Sequence, residues 1–151
     1  MIQDSIVAKG ALKVEVFGAD GALKEFREIP NLVVTVGRYF IAQRLITAGA
    51  PTPMSHMAIG SSATAAAAGD TTLVAELGRV GLTGGAGTVA ANSNSVVYTA
   101  TFPAGTGTGT VREAGLFNAA SAGTMLARTT FGDVTKGAAD SITVTWTVSI
   151  N

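Results

Sequence analysis

The chain has 151 residues, ten basic and ten acidic side chains, and no cysteine. The length suits one domain, the balanced charge leaves no footprint for nucleic acid or an anionic membrane, and the missing cysteine excludes disulfide frameworks, thiolate metal sites and cysteine nucleophiles. Ala, Thr, Gly and Ser make up nearly half the chain, while charged residues are only 13%, against about 25% in an ordinary domain.

Met1–Ser5 carries Asp4 where a signal peptide would carry Lys or Arg, and no apolar run approaches the roughly 20 residues that span a bilayer. The expectation is a soluble protein made in a cytoplasm. Residues 11–17 alternate, with Leu12, Val14 and Val16 on one face and Lys13 and Glu15 on the other. Gly18-Ala-Asp-Gly21 and residues 22–29 complete a hairpin signal. Pro30-Asn31 predicts a break, and residues 32–36 a short apolar lead-in. Gly37–Ile46 predicts a helix, with Gly37, Phe40, Ile41 and Leu45 near one face. At about three turns it must pack on a sheet, and residues 47–53 end it with Gly49 and two prolines.

Met54–Ile59 predicts a short strand closing on Gly60-Ser-Ser62. Residues 63–69 have helical propensity but are few and small-sided. Asp70 is placed to cap a turn by accepting backbone N–H bonds two and three residues on. Five strands follow, at residues 78–83, 95–102, 111–117, 124–131 and 141–150. In the last, Ile142, Val144, Trp146, Val148 and Ile150 alternate with Thr143, Thr145, Thr147 and Ser149, and threonine suits a solvated or interface-facing side of a pleat. Short strands with Gly-rich turns predict a mainly β chain. The expected fold is one antiparallel β-sandwich domain over residues 1–151, with one short α-helix (about residues 37–46) and an N-terminal arm or hairpin (1–30) packing on the core.

Candidate chemistry is sparse. Gly105, Gly107 and Gly109 alternate strictly and precede an extended segment, whereas a dinucleotide loop opens a helix; this run, like Gly84-Gly85-Ala86-Gly87, reads as a hairpin connection. His56 has no carboxylate within ten residues in sequence, so a metal site there would need one copy from each of three subunits around an axis. No G-x-S-x-G supplies a nucleophilic serine. Glu113 stands out as a carboxylate expected to bond backbone or an arginine of another strand, Arg79 or Arg128. No catalytic, cofactor-binding or metal site is expected, and the protein is read as no enzyme.

Apart from the neutral His56, no charge occurs from Leu45 to Gly69 or from Gly81 to Thr110. Low charge invites association, and interface cores are depleted of Lys, Glu and Asp. These stretches supply the interface candidates Met54, His56, Met57 and Ala67, then Val97, Thr99 and Thr101; the alternative is uncharged loops and strands.

Three segments carry a resemblance: Asn31-Leu-Val-Val-Thr-Val-Gly37 before a helix, Met54-Ser-His-Met-Ala-Ile-Gly60-Ser61, and Val111-Arg-Glu-Ala-Gly-Leu-Phe117. Together they resemble bacteriophage tail-collar fibre domains, which show a glycine before a helix, a glycine at a strand end and a Glu-x-Gly strand. Residues 124–131 and 136–146 resemble small phage structural proteins. The resemblance spans about residues 12–150 and implies a non-enzymatic virion structural protein without cofactor, made in the host cytoplasm. It would be an oligomeric tail or fibre-attachment component. The chain shows no shaft repeats and no receptor-binding tip, so it is expected to be an attachment module by itself. A capsid decoration (cement) protein on the head shell stays open for the same reason. A carbohydrate or small-ligand binding module is a third reading; it would want exposed aromatics, and only nine aromatic residues are present. The resemblance implies self-association, a trimer before a dimer, and contact with a tail, baseplate or major capsid protein; from the balanced charge, no nucleic acid or membrane partner is expected.

Overall fold

A computed structural model describes residues 5–46 and 48–151. Met1–Asp4, read above for a leader, and Thr47, in the helix-ending segment, lie outside the described residues. Strands β1 (Ala8–Phe17) and β2 (Leu23–Val33) lead into helix α1 (Thr35–Gln43). Then come β3 (His56–Gly60), β4 (Glu76–Gly81), a 3-10 turn at Thr83–Gly85, β5 (Ser95–Phe102), β6 (Gly109–Phe117), β7 (Met125–Lys136) and β8 (Ser141–Ile150).

The chain is mainly antiparallel β with one short helix, as the alternation predicts. All eight strands hydrogen-bond in one sheet, in the order β4-β3-β6-β7-β2-β1-β8-β5, instead of the two separate sheets of the expected sandwich. β2 joins the halves: its residues 23–31 pair with β1, and Leu32 and Val33 pair with β7. The sheet curls until its edge strands β4 and β5 lie side by side with no ladder between them, nearly a barrel. The expected N-terminal hairpin is part of the sheet, with β1 between β2 and β8.

Pro30 does not break the chain, because β2 continues through it opposite Ala11. The N–H and C=O of one strand residue point to the same side. The Pro30 carbonyl accepts a bond from the Thr129 hydroxyl of β7 at 2.8 Å. The missing N–H thus faces β7 where the β2–β7 ladder has not yet begun, and no strand bond is lost.

The inward rows settle the register. Ile142, Val144, Trp146 and Val148 of β8 are buried against Leu12, Val14 and Val16 of β1, within one core. A one-residue slip would exchange those four side chains for threonine and serine, and each large apolar side chain contributes roughly 1.5–3 kcal/mol by burial. β5 and β8 span the expected residues. β7 runs five residues past its expected end because, beyond a register shift, it continues to pair with Gly109–Val111 of β6.

Helix α1 begins two residues early and ends at Gln43, packing Gly37 and Phe40 on the sheet. A methyl group on Gly37 would overlap the backbone carbonyl of Leu126 in β7. Beyond Gln43 the chain unwinds through tighter bonds, from Leu45 N–H to Ala42 O (3.1 Å) and from Ile46 N–H to Gln43 O (3.3 Å). Leu45, expected on the packed face, instead lies past the helix and is 85% exposed. Neither Gly-rich run is a hairpin connection, since β4 does not pair with β5 nor β5 with β6. Both runs cross between the halves of the sheet, and Gly105, Gly107 and Gly109 all adopt positive φ (80°, 67° and 134°), which only glycine does without strain.

Candidate functional site

Residues 61–75, between β3 and β4, form an irregular strap over the outer face of β3, β6 and β7. Its Leu73 enters a small second core with Val34, Ala58, Phe117 and Met125. Beneath it lie Glu113 of β6 and Arg128 of β7, both fully buried. Gly115 is opposite Arg128, and Glu113 is opposite Thr130. The acid and the base are therefore diagonal neighbours on one face, within reach of long side chains.

The Glu113 carboxylate accepts from the Val74 N–H (3.1 Å) and the Ala75 N–H (2.7 Å) of the strap, and from Arg128 Nε (3.0 Å) and Nη2 (2.8 Å). Arg128 further donates to the carbonyls of Thr64 (2.8 Å) and Ala65 (3.3 Å) and to Asp70 Oδ2 (2.8 Å). All five guanidinium N–H groups are thereby used. Asp70 does not cap a following turn; it accepts from Arg128 and from the preceding Ala67 N–H (2.9 Å). The arginine that serves Glu113 is Arg128. Arg79 instead pairs with Glu76, bonds the carbonyls of Ala119 and Ala122, and stacks 3.8 Å from the Phe117 ring centroid.

Two glycines make room for this clamp. Gly60 faces Glu113 across the β3–β6 ladder, and a methyl there would sit 2.5 Å from both Ala75 O and Glu113 Oε1. A methyl on Gly115 would press on Leu73 and Phe117 at 2.9 Å. The strand-end glycine and the Glu-x-Gly pattern are thus adjacent in space. Chemically the arrangement positions a loop: its donors and acceptors meet other atoms of the same chain.

A second polar cluster sits near the β1–β2 turn. Buried Lys136 donates to the carbonyls of Pro103 (2.9 Å) and Asp140 (2.7 Å), and burial pushes its ammonium below the ordinary lysine range. The Lys24 ammonium (2.8 Å) and the Gly137 N–H (2.8 Å) hold the Asp140 carboxyl below the usual carboxylate range. Sequence reading passed over this cluster, although Lys136-Gly-Ala-Ala-Asp140 has the spacing of a tight turn.

The interface candidates separate. Met54 and Met57 are buried in the core, so they present nothing to a partner. They look like surface by their uncharged neighbours, but Met57 lies on the apolar inward row of β3 and Met54, just before the strand, enters the same core. His56 is half-buried, with its Nδ1 2.9 Å from Ser55 Oγ. Ala67 is exposed on the strap, while Val97 and Thr99 are half-buried and Thr101 exposed on the outward row of edge strand β5. Among the described residues no group of three His, Asp or Glu gathers to hold a metal, and no helix is long and apolar enough to cross a membrane.

The sequence model of the family described as phage tail-collar fibre protein, N-terminal, matches residues 27–150. No curated protein and no solved structure matches the chain.

Proposed function

We propose that this chain, which belongs to the phage tail-collar fibre protein N-terminal family, is an oligomeric, non-enzymatic attachment component of the tail. A structural role in the phage tail fibre follows from membership, and the observation that carries it is the match across residues 27–150. The clamped strap supports the reading: Glu113 and Arg128 are fully buried and hold a surface loop rigid, as a docking module requires. The chain acts as one domain, assembled in the host cytoplasm and carried in the virion, where it meets copies of itself, a trimer before a dimer, and a tail or baseplate protein. Ala67 on the strap and Val97, Thr99 and Thr101 on β5 are the covered surface in this reading, because no Lys or Glu among them has to be desolvated.

Immunolabelling of intact virions tests the reading. Label at the tail is expected; label on the head shell would favour a capsid decoration role, and absence from virions would refute both. Ala67→Glu and Thr99→Glu should each lower occupancy in the particle, and wild-type occupancy of both would show these positions to be uncovered.

A further inference from the structure

The exposed apolar side chains are not scattered. At the end where Ala8 pairs with Ile150, Ile6 and Leu45, 80% and 85% exposed, wall a groove floored by Ile41 and Ile150 with Arg38 at its rim. A second groove on the other side of Leu45 has Arg44 at its rim. Among the described residues Arg38 donates only to Thr35 Oγ1 (3.1 Å) and Arg44 only to the Pro51 carbonyl (2.8 Å), and neither has a carboxylate within salt-bridge distance. This end is apolar and cationic.

The opposite end has the complementary character. Beyond a register shift, Leu23 opposite Phe17 and Phe26 opposite Glu15 share the outward face of the hairpin with Glu28. Both apolar side chains are about half exposed or more. Three cations there are already engaged: Lys13 with Glu15, Lys24 with Asp140 and Arg27 with Glu25. Asp20, at the turn, and Glu28 have no cation partner among the described residues. The hairpin is left apolar and anionic, its turn about 30 Å from the helix end along ten residues of β1, with Glu28 midway along the strand opposite Lys13.

We infer that the β1–β2 hairpin of one copy docks on the helix end of another, Leu23 and Phe26 entering the grooves beside Leu45 while Asp20 and Glu28 meet Arg38 and Arg44. The contact joins two different patches, so each copy gives its hairpin to a neighbour and receives a hairpin in turn. Charge placed in this way fixes the orientation of the partners and excludes hairpin-to-hairpin pairing. The inference rests on the self-association proposed above.

Light scattering on the intact protein tests it, with circular dichroism to check that each variant folds. The wild type is expected as an oligomer. Arg38→Glu with Arg44→Glu, and separately Asp20→Lys with Glu28→Lys, should each give the 15.1 kDa monomer. All four substitutions together should restore the oligomer, since the hairpin is then cationic and the helix end anionic. Leu45→Asp, outside the helix and free of packing, should also give a folded monomer, and it decides the matter if a double variant does not fold. A monomeric wild type overturns both self-association and this contact. Oligomers that persist in a double variant or in Leu45→Asp, or that fail to return in the folded quadruple variant, overturn this contact alone.

Discussion

Each N–H group of Arg128 has an acceptor, and the strap hangs from two of its carbonyl acceptors and from Asp70. Truncation would leave Glu113 buried without a cation. Arg128→Met is therefore expected to destabilise the fold by about 3–5 kcal/mol in urea denaturation. Arg128→Lys should recover only part of this, because an ammonium cannot reach acceptors spread around a planar fork. Asp140 and Lys136 make stability depend on pH in opposite limbs. The Asp140 carboxyl titrates lower when folded, so its contribution is present above the ordinary carboxylate range and is lost as pH falls through the folded value. The Lys136 ammonium also titrates lower when folded, but here the buried charge is a penalty, relieved as pH rises towards the ordinary lysine range. Melting temperature against pH should show a flatter acid limb for Asp140→Asn and a flatter alkaline rise for Lys136→Met.

Among the elements, the strap and the edges of the sheet differ in what protects them. The strap has no ladder of its own and depends on the Glu113 carboxylate for the Val74 and Ala75 N–H groups. Hydrogen exchange should find those two amides slow in the wild type and fast in Arg128→Met, while amides of the β1–β8 ladder keep their protection. If Val74 and Ala75 remain slow, Glu113 holds the strap without Arg128, helped by Leu73 and by the Thr35 N–H bond to the Ala68 carbonyl (2.8 Å). The outer edge of β2 is instead guarded by charge and by proline: Lys24, Glu25, Arg27, Glu28 and Pro30 follow closely there. Such residues discourage strand addition from another chain. β5 has no charge, and its edge is covered at Val97 by two backbone bonds with Thr88, both 2.8 Å.

For the whole molecule, the decisive pairing joins the two ends of the sequence. β1 lies against β8 from Ala8 and Ile150 to Phe17 and Ser141, and β8 is also the partner of β5. Contacts so distant in sequence make folding slow, on the order of milliseconds to seconds. They also make the barrel interdependent. The intact chain should unfold in one cooperative transition, whereas a chain ending at Asp140 should show no cooperative melt, because Leu12, Val14 and Val16 lose the row that buries them. A cooperative melt in the truncated chain would mean that the remaining strands form a core unaided.

The sequence by itself determined what depends on neighbours one to four residues away. The alternation of β8, the hairpin turn, a helix near Gly37 and the predominance of strands are all local patterns, and the Gly60 and Glu-x-Gly segments were legible as a family resemblance. Glu113 was recognised as needing a partner, but the choice of Arg128 over Arg79 depends on which strand lies beside β6, and periodicity carries no such information. For the same reason strand order, the single sheet joined through β2 and the crossing Gly-rich loops came only with the tertiary structure. Pro30 looks like a break because its missing N–H is costly in most strand positions; only the place where β7 begins to pair makes it harmless. Met54 and Met57 looked like surface and proved to be core, and Leu45 the reverse. Burial is decided by where the helix leaves the sheet and which face of β3 the strap covers, and both are set by packing across the chain.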